Sequence, residues 1–210
     1  MEYEIRYYFS KNNLEDIIEK LSKVNDLKKN ERCYEKTIQF DHPSNEHSFY
    51  SKEIDGRFRI RITKSEKKSK CKLSWKRRIP TTHIGDVNKE EEVEVNINAE
   101  EYDNLMFIVN NVLKMKSIES YERYRTTFTN NEIEVSVDEY PFGLALEIEN
   151  KSETKDPEKN VKEWSDMLGL DIKNTYKLSW DDKYTELCNQ QGIEHYNHVT
   201  FDKKMPQVLD

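Results

Sequence analysis

The chain has 210 residues, enough for one large domain with a substantial core or for two small ones. Charged residues make up 36% of it, above the usual ~25%, yet 12 Tyr, 8 Phe, 3 Trp and sustained periodicity exclude a disordered polyelectrolyte. A formal net charge of -7 speaks against general coating of nucleic acid and leaves room for a local basic cavity.

The three cysteines, Cys33, Cys71 and Cys188, match neither a zinc spacing nor a disulfide framework. No apolar run approaches the ~18 residues of a membrane helix. No signal peptide precedes Glu2. A reduced, cytoplasmic protein with no membrane partner is therefore expected.

A strand over 2–9 puts Glu2, Glu4 and Arg6 on one face and Tyr3, Ile5 and Tyr7 on the other. A helix over 10–24 follows, with Ser10 as N-cap and Leu14, Ile17, Ile18 and Leu21 as its apolar stripe. Alternation then predicts strands at 33–41, 47–53, 57–63, 70–78 and 89–97. A second helix over 99–115 starts after Asn98, with Tyr102, Leu105, Met106, Val109, Val112 and Leu113 as its stripe. Strands at 120–128 and 132–139 form a hairpin across Asn130-Asn131, and another strand covers 144–150. The third helix, 157–168, has Asp156 as cap and Pro157 in its first turn. The fourth, 180–191, is capped by Ser179 and ended by Gly192. The segment 151–157 and the weakly periodic tail 193–210 are expected to be flexible. The expectation is one domain over 1–192 followed by that tail.

The charged strand faces are sorted by sign. Glu2 with Glu4, Glu90 with Glu92 and Glu94, Glu132 through Asp138, and Glu147 with Glu149 are acidic. Arg57, Arg59 and Arg61, then Lys72 and Lys76, then Arg123 and Arg125 are basic. A solvating surface mixes signs within each face. The helices also need an apolar partner. If they cover the apolar strand faces from outside, the charged faces point inward. About eight strands then close into a barrel wide enough for a small ligand. The fold class expected is α+β, mainly β: an eight-stranded antiparallel closed barrel with helices packed outside. Rows of Arg and Lys match phosphate oxygens. Rows of carboxylates tolerate phosphate only with a divalent cation between them, and Mg²⁺ or Mn²⁺ suits hard oxygen ligands.

These residues resemble the CYTH, or triphosphate tunnel metalloenzyme, superfamily. Glu2-Tyr3-Glu4-Ile5-Arg6 is similar to its N-terminal Glu-x-Glu-x-Lys signature, with Arg for Lys. The stretch Tyr34 to Asp41, the strand Phe58-Arg59-Ile60-Arg61, and Leu73-Ser74-Trp75-Lys76 resemble its next three strands. Glu92-Val93-Glu94, Arg123-Tyr124-Arg125 and Asp138 with Gly143 through Glu149 follow in family order, and 180–187 resembles a late helix of many members. The matches span about 1–190.

The resemblance implies a tunnel holding one or two Mg²⁺ or Mn²⁺ ions. Members hydrolyse inorganic triphosphate, thiamine triphosphate, nucleoside triphosphates or RNA 5′-triphosphate ends, and some cyclise ATP to cyclic AMP. Glu2, Glu4, Asp138, Glu147 and Glu149 would hold the metal. Arg59, Arg61, Lys72, Lys76, Arg123 and Arg125 would clamp the phosphates, with Arg6 near the attacking group. Glu92 or Glu94 would accept the proton of the attacking water. The implied partner is a small molecule containing a triphosphate. Nucleic acid is not expected except as an RNA 5′ end, and the sequence names no oligomer. A non-catalytic polyphosphate-binding module is the competing class. His195-x-x-His198, His42 and His83 read as surface or loop histidines, Asp181-Asp182 as helix-start charge, and Lys64 to Lys70 as a solvated hairpin tip or else an entrance that steers polyanions.

Overall fold

The computed structural model describes residues 1–51, 53–79 and 87–209. His83 lies outside the described residues. Ten strands occur among them: β1 (Glu2–Phe9), β2 (Lys28–Lys29), β3 (Cys33–Asp41), β4 (Gly56–Lys64), β5 (Ser69–Arg78), β6 (Asn88–Ile97), β7 (Lys116–Thr129), β8 (Ile133–Tyr140), β9 (Gly143–Asn150) and β10 (His198–Val199). The α-helices are α1 (Leu14–Ser22), α2 (Tyr102–Phe107), α3 (Pro157–Met167) and α4 (Trp180–Gln191).

The barrel closes as expected. Going round it, the order is β1-β6-β5-β4-β3-β7-β8-β9 and back to β1, every neighbour antiparallel. Closure pairs Glu4 with Glu149 and Arg6 with Glu147, bringing the two ends of the acidic pattern side by side. The short strands β2 and β10 flank β7 outside the ring.

The core lies outside the barrel wall. α1 and α3 cover the outer faces of β1, β8 and β9, where Ile5, Val135 and Ile148 pack with Leu21, Val161 and Trp164. α2 and the turn that follows it cover β3, β4 and β5 through Tyr102, Leu105, Met106 and Val109 against Phe40, Ile60 and Cys71. α4 packs differently. Its Trp180, Tyr184 and Leu187 join Tyr121, Tyr140 and Phe142, closing the rim at the β8–β9 turn.

Three expectations fail for physical reasons. Among the described residues of 47–53, the expected strand does not form. A 3₁₀ turn at Asn45–His47 stands there, and the Asp41 carboxylate takes the amides of His42 and Phe49 at 2.7 and 2.8 Å. Those side-chain bonds replace a ladder. The second helix is not uniform: α2 passes into a π turn over Ile108–Val112. The wider turn rotates Val112 and Leu113 off the core face, and they are 63% and 52% exposed. The tail after Gly192 is packed, since Val199 and Met205 are buried and the Val208 amide bonds the Phe142 carbonyl at 2.8 Å. A few anchors fix it, which is why it shows no period.

Candidate active site

Strand alternation sends one face of each barrel strand into the lumen. The resulting cavity, of about 160 Å³, is lined by Glu2, Glu4, Arg6, Arg57, Arg59, Arg61, Lys72, Lys76, Glu90, Glu92, Glu94, Arg123, Arg125, Glu134, Glu147 and Glu149. Every candidate residue taken from the sequence except Asp138 is in this wall. Asp138 is fully buried behind it. Glu35, Tyr121, Tyr140, Lys151, Ser179 and Trp180 also belong to the site or its support and carry no signal of it in the sequence. Glu35, Thr37 and Gln39 form a polar face with a single charge, and Tyr34, Lys36 and Ile38 opposite them a mixed one, so neither joins the rows of like charge. Tyr121, Tyr140 and Trp180 look like core residues in any pattern.

The charges form two groups. In the first, the Lys76 ammonium lies 2.6 Å from Glu2, 2.9 Å from Glu90 and 3.7 Å from Glu4. Arg57 also donates to Glu90, at 2.6 Å, and Arg59 to Glu92, at 3.3 Å. Burial opposes ionisation of Glu2, but its hydrogen bond with Glu92 and the charge of Lys76 pull it down to about 2. Burial and that same bond push Glu92 up to about 8, against the pull of Lys76. The Glu2–Glu92 pair therefore shares one proton at neutral pH. Burial and the charge of Glu2 also push Glu149 up to about 7, against Lys151.

In the second group, Asp138 receives Arg125 on both oxygens at 2.5 Å, and Arg123 at 2.7 Å. Arg123 also donates to Glu35 at 2.8 Å and to the Tyr140 hydroxyl at 3.0 Å. Glu147 receives Arg6 at 2.7 Å and Arg125 at 2.6 Å. Burial opposes its ionisation, yet the two guanidinium groups hold it well below the usual carboxylate range. Arg61 donates to Thr37 at 3.1 Å and to the Tyr121 hydroxyl at 3.3 Å. Burial disfavours the phenolate of Tyr121, but Arg61, Arg123 and Arg59 bring it down to about 7.

Each nitrogen of Arg6 donates to the protein. It donates to Glu147, to Glu4 at 3.0 Å and to the Leu178 carbonyl at 3.1 Å. That last bond ties β1 to the segment entering α4. Trp180, the first residue of α4, sets its ring 4.5 Å from Tyr121 and closes this end of the lumen. The Ser179 amide donates to the Asp182 carboxylate at 3.0 Å, one half of the box that caps this helix.

Two features are not explained by the protein's own pairing. The Nε–H groups of Arg57 and Arg59 are buried with no hydrogen-bond partner. Glu2 Oε2 is buried and close to Lys76, but lies outside hydrogen-bond geometry. Burying charges on this scale does little for stability by itself. Donors left over suit an anion, and hard carboxylate oxygens holding surplus protons suit a divalent cation that would replace those protons. Among the described residues, no three His, Cys, Asp or Glu side chains already form an ion cage. Asp138 and Glu147 have their oxygens on arginines.

No family model and no curated protein matches the sequence. Solved structures do match. The PH1819 protein of Pyrococcus horikoshii OT3 superposes with a TM-score of 0.69 at 20% identity, over 89% of this chain and 99% of that one. A candidate adenylate cyclase from Vibrio parahaemolyticus gives 0.61 at 15% identity, over 86% and 95%. A candidate adenylyl cyclase from Hippeastrum, described as having a dominant triphosphatase activity, gives 0.56 at 18% identity, over 93% and 98%. At these identities the likeness is one of fold alone.

Proposed function

We propose that the chain is a divalent-metal-dependent hydrolase of a small molecule containing a triphosphate, bound in the barrel lumen. The observation that supports it best is the lumen wall itself. Buried arginine N–H groups without partners face the carboxyls of Glu92 and Glu149, whose burial favours the protonated form. A triphosphate with its metal supplies both missing charges.

Glu2, Glu4 and Glu149, with Glu92 beside them, would hold Mg²⁺ or Mn²⁺. When bound, the metal would neutralise phosphate charge and activate water. Arg57, Arg59, Arg61 and Lys76 bind the phosphate chain and stabilise charge on the transferred phosphoryl group. Arg123 and Arg125 extend that clamp and are themselves set by Asp138, Glu35 and Glu147. Arg6 orients Glu4 and Glu147 and anchors the entry to α4. Glu92, once its own proton has left on cation binding beside it, would accept the proton of the attacking water at its carboxylate. Glu94 is held by Lys72 at 2.6 Å and serves that role less well. Cyclisation of ATP is the second reading, favoured by the cyclase descriptions of the Vibrio and Hippeastrum structures.

The test is to incubate the protein with Mg²⁺ or Mn²⁺ and inorganic triphosphate, ATP or thiamine triphosphate, measuring phosphate and cyclic AMP together. Phosphate release abolished by chelation is expected. Cyclic AMP with pyrophosphate from ATP would establish the cyclase instead. Tight binding of all three without turnover would leave a binding module.

A further inference from the structure

The two ends of the barrel differ in charge. The antiparallel order places the β4–β5 and β7–β8 hairpins at one rim and the β8–β9 turn at the other. At the β8–β9 rim, Trp180 closes the lumen, and Asp181 and Asp182 in the first turn of α4 act on Glu119. Lys11 donates to the Pro141 carbonyl at 2.7 Å at the same turn, so this rim is mixed in charge, with Trp180 lining its lumen side.

The β4–β5 hairpin at the other rim is mainly basic, with Glu132 and Glu134 of the β7–β8 hairpin sharing that rim. Lys64, Lys67, Lys68 and Lys70 crowd one exposed hairpin, opposed within it by Glu66 alone. The tip is ordered. Ser65 bonds the Lys68 carbonyl through its amide at 2.9 Å, and its hydroxyl takes the amides of Lys67 and Lys68 at 3.3 and 3.2 Å. The Glu66 amide donates to Glu31 at 3.1 Å, docking the tip beside β2. Lys70 lies two residues before Lys72 on β5, so both point to the face that becomes the lumen wall. The cation row Lys76–Lys72 therefore continues out through this rim, with roughly 7 Å between residues two apart.

Within the tip there is no aromatic side chain on which a base could stack. Lysines offer point charges to a bare phosphate chain. We propose that the β4–β5 hairpin is an outer anion subsite, through which inorganic polyphosphate chains longer than a triphosphate enter the lumen and are held. This rests on the triphosphate reading of the lumen and extends it.

Titration calorimetry of the full chain in Mg²⁺ buffer tests it, using inorganic triphosphate and long-chain polyphosphate as probes. The variant K67E/K68E/K70E changes exposed residues outside the lumen, and its melting temperature checks the fold. Long-chain affinity should fall about tenfold or more, the scale expected when several exposed ion pairs are removed together. Triphosphate affinity should stay within about twofold, and the salt dependence of long-chain binding should flatten. Equal losses for both probes would reduce the hairpin to a general field and overturn the subsite, as would no loss. Hairpin-dependent binding of a 5′-triphosphorylated RNA oligonucleotide, tighter than that of polyphosphate of equal charge, would overturn the ligand assignment. A wild-type chain that binds no triphosphate would sink the lumen reading itself, an outcome separate from the others.

Discussion

Arg125 and Glu149 occupy the same lumen and answer to different physics. Arg125 bridges fully buried Asp138 and largely buried Glu147. Its removal leaves carboxylates short of counter-charge in a dry environment. R125A should cost about 3–5 kcal/mol in urea unfolding, so its loss of activity would not isolate a catalytic role. Glu149 pairs with Lys151, whose side chain is 40% exposed and can turn to water. E149Q should keep the fold and weaken Mg²⁺ binding at least about tenfold, the scale seen when groups around a metal are removed; unchanged Mg²⁺ affinity would remove Glu149 from the ligand set. The Glu2–Glu92 pair adds a pH dependence. An unfolded glutamate loses its proton near 4.5, while folded Glu92 keeps it to about 8. Between those values the folded state binds more protons, so in metal-free protein this group's contribution to stability falls as pH rises. Cation binding must expel the proton, so Mg²⁺ affinity should climb from about pH 6 to about pH 8 with proton release. Calorimetry in buffers of different ionisation enthalpy would count the protons, and a flat profile would contradict the shared-proton pair.

At the scale of elements, the strands are legible in the sequence because alternation is a local signal. The 47–53 stretch is not, because Asp41, several residues upstream, supplies the bonds that hold it as a loop. That loop turns Phe49 onto Trp75, with ring centroids 5.1 Å apart. Gly56 begins β4 directly beneath the same ring: a Cβ there would meet Trp75 at 2.3 Å. G56A should therefore cost about 1–3 kcal/mol through overpacking, measured by thermal unfolding, although Gly56 sits in a strand where alanine is ordinarily the better residue. The helix over 99–115 shows the opposite failure. Its stripe is legible, but the extra residue of a π turn depends on what lies beneath it. Val112 and Leu113 continue the apolar stripe in sequence and face solvent in the fold.

For the whole molecule, the inverted layout is what matters. Helices bury the outer faces of the barrel, and charge fills its inside. No helix is long and apolar enough to cross a membrane among the described residues. The last segment of the chain completes the cluster that closes the lumen at α4, where Met205 accepts a hydrogen bond from Tyr184 at 3.6 Å and is buried. M205A should cost about 2–5 kcal/mol by denaturant unfolding, although it lies in a segment without periodicity. A cost near zero would show that the tail does not support this closure.

The sequence by itself determined the period-two alternation, the sorting of charge by strand and the outward apolar stripes, and those three patterns together imply a barrel with a charged interior. Each is local, set by residues two to four apart. Only the tertiary structure decided which charges meet. Arg6 bonds Glu147 across 141 residues, and Lys76 on β5 joins Glu90 of the next strand to Glu2 of β1, the far end of the chain. Asp138 faces Arg125 directly across the β7–β8 hairpin, and Arg123 then brings Glu35 of β3 into the same cluster. Barrel register fixes such partners, and register is a property of the closed ring rather than of any one strand.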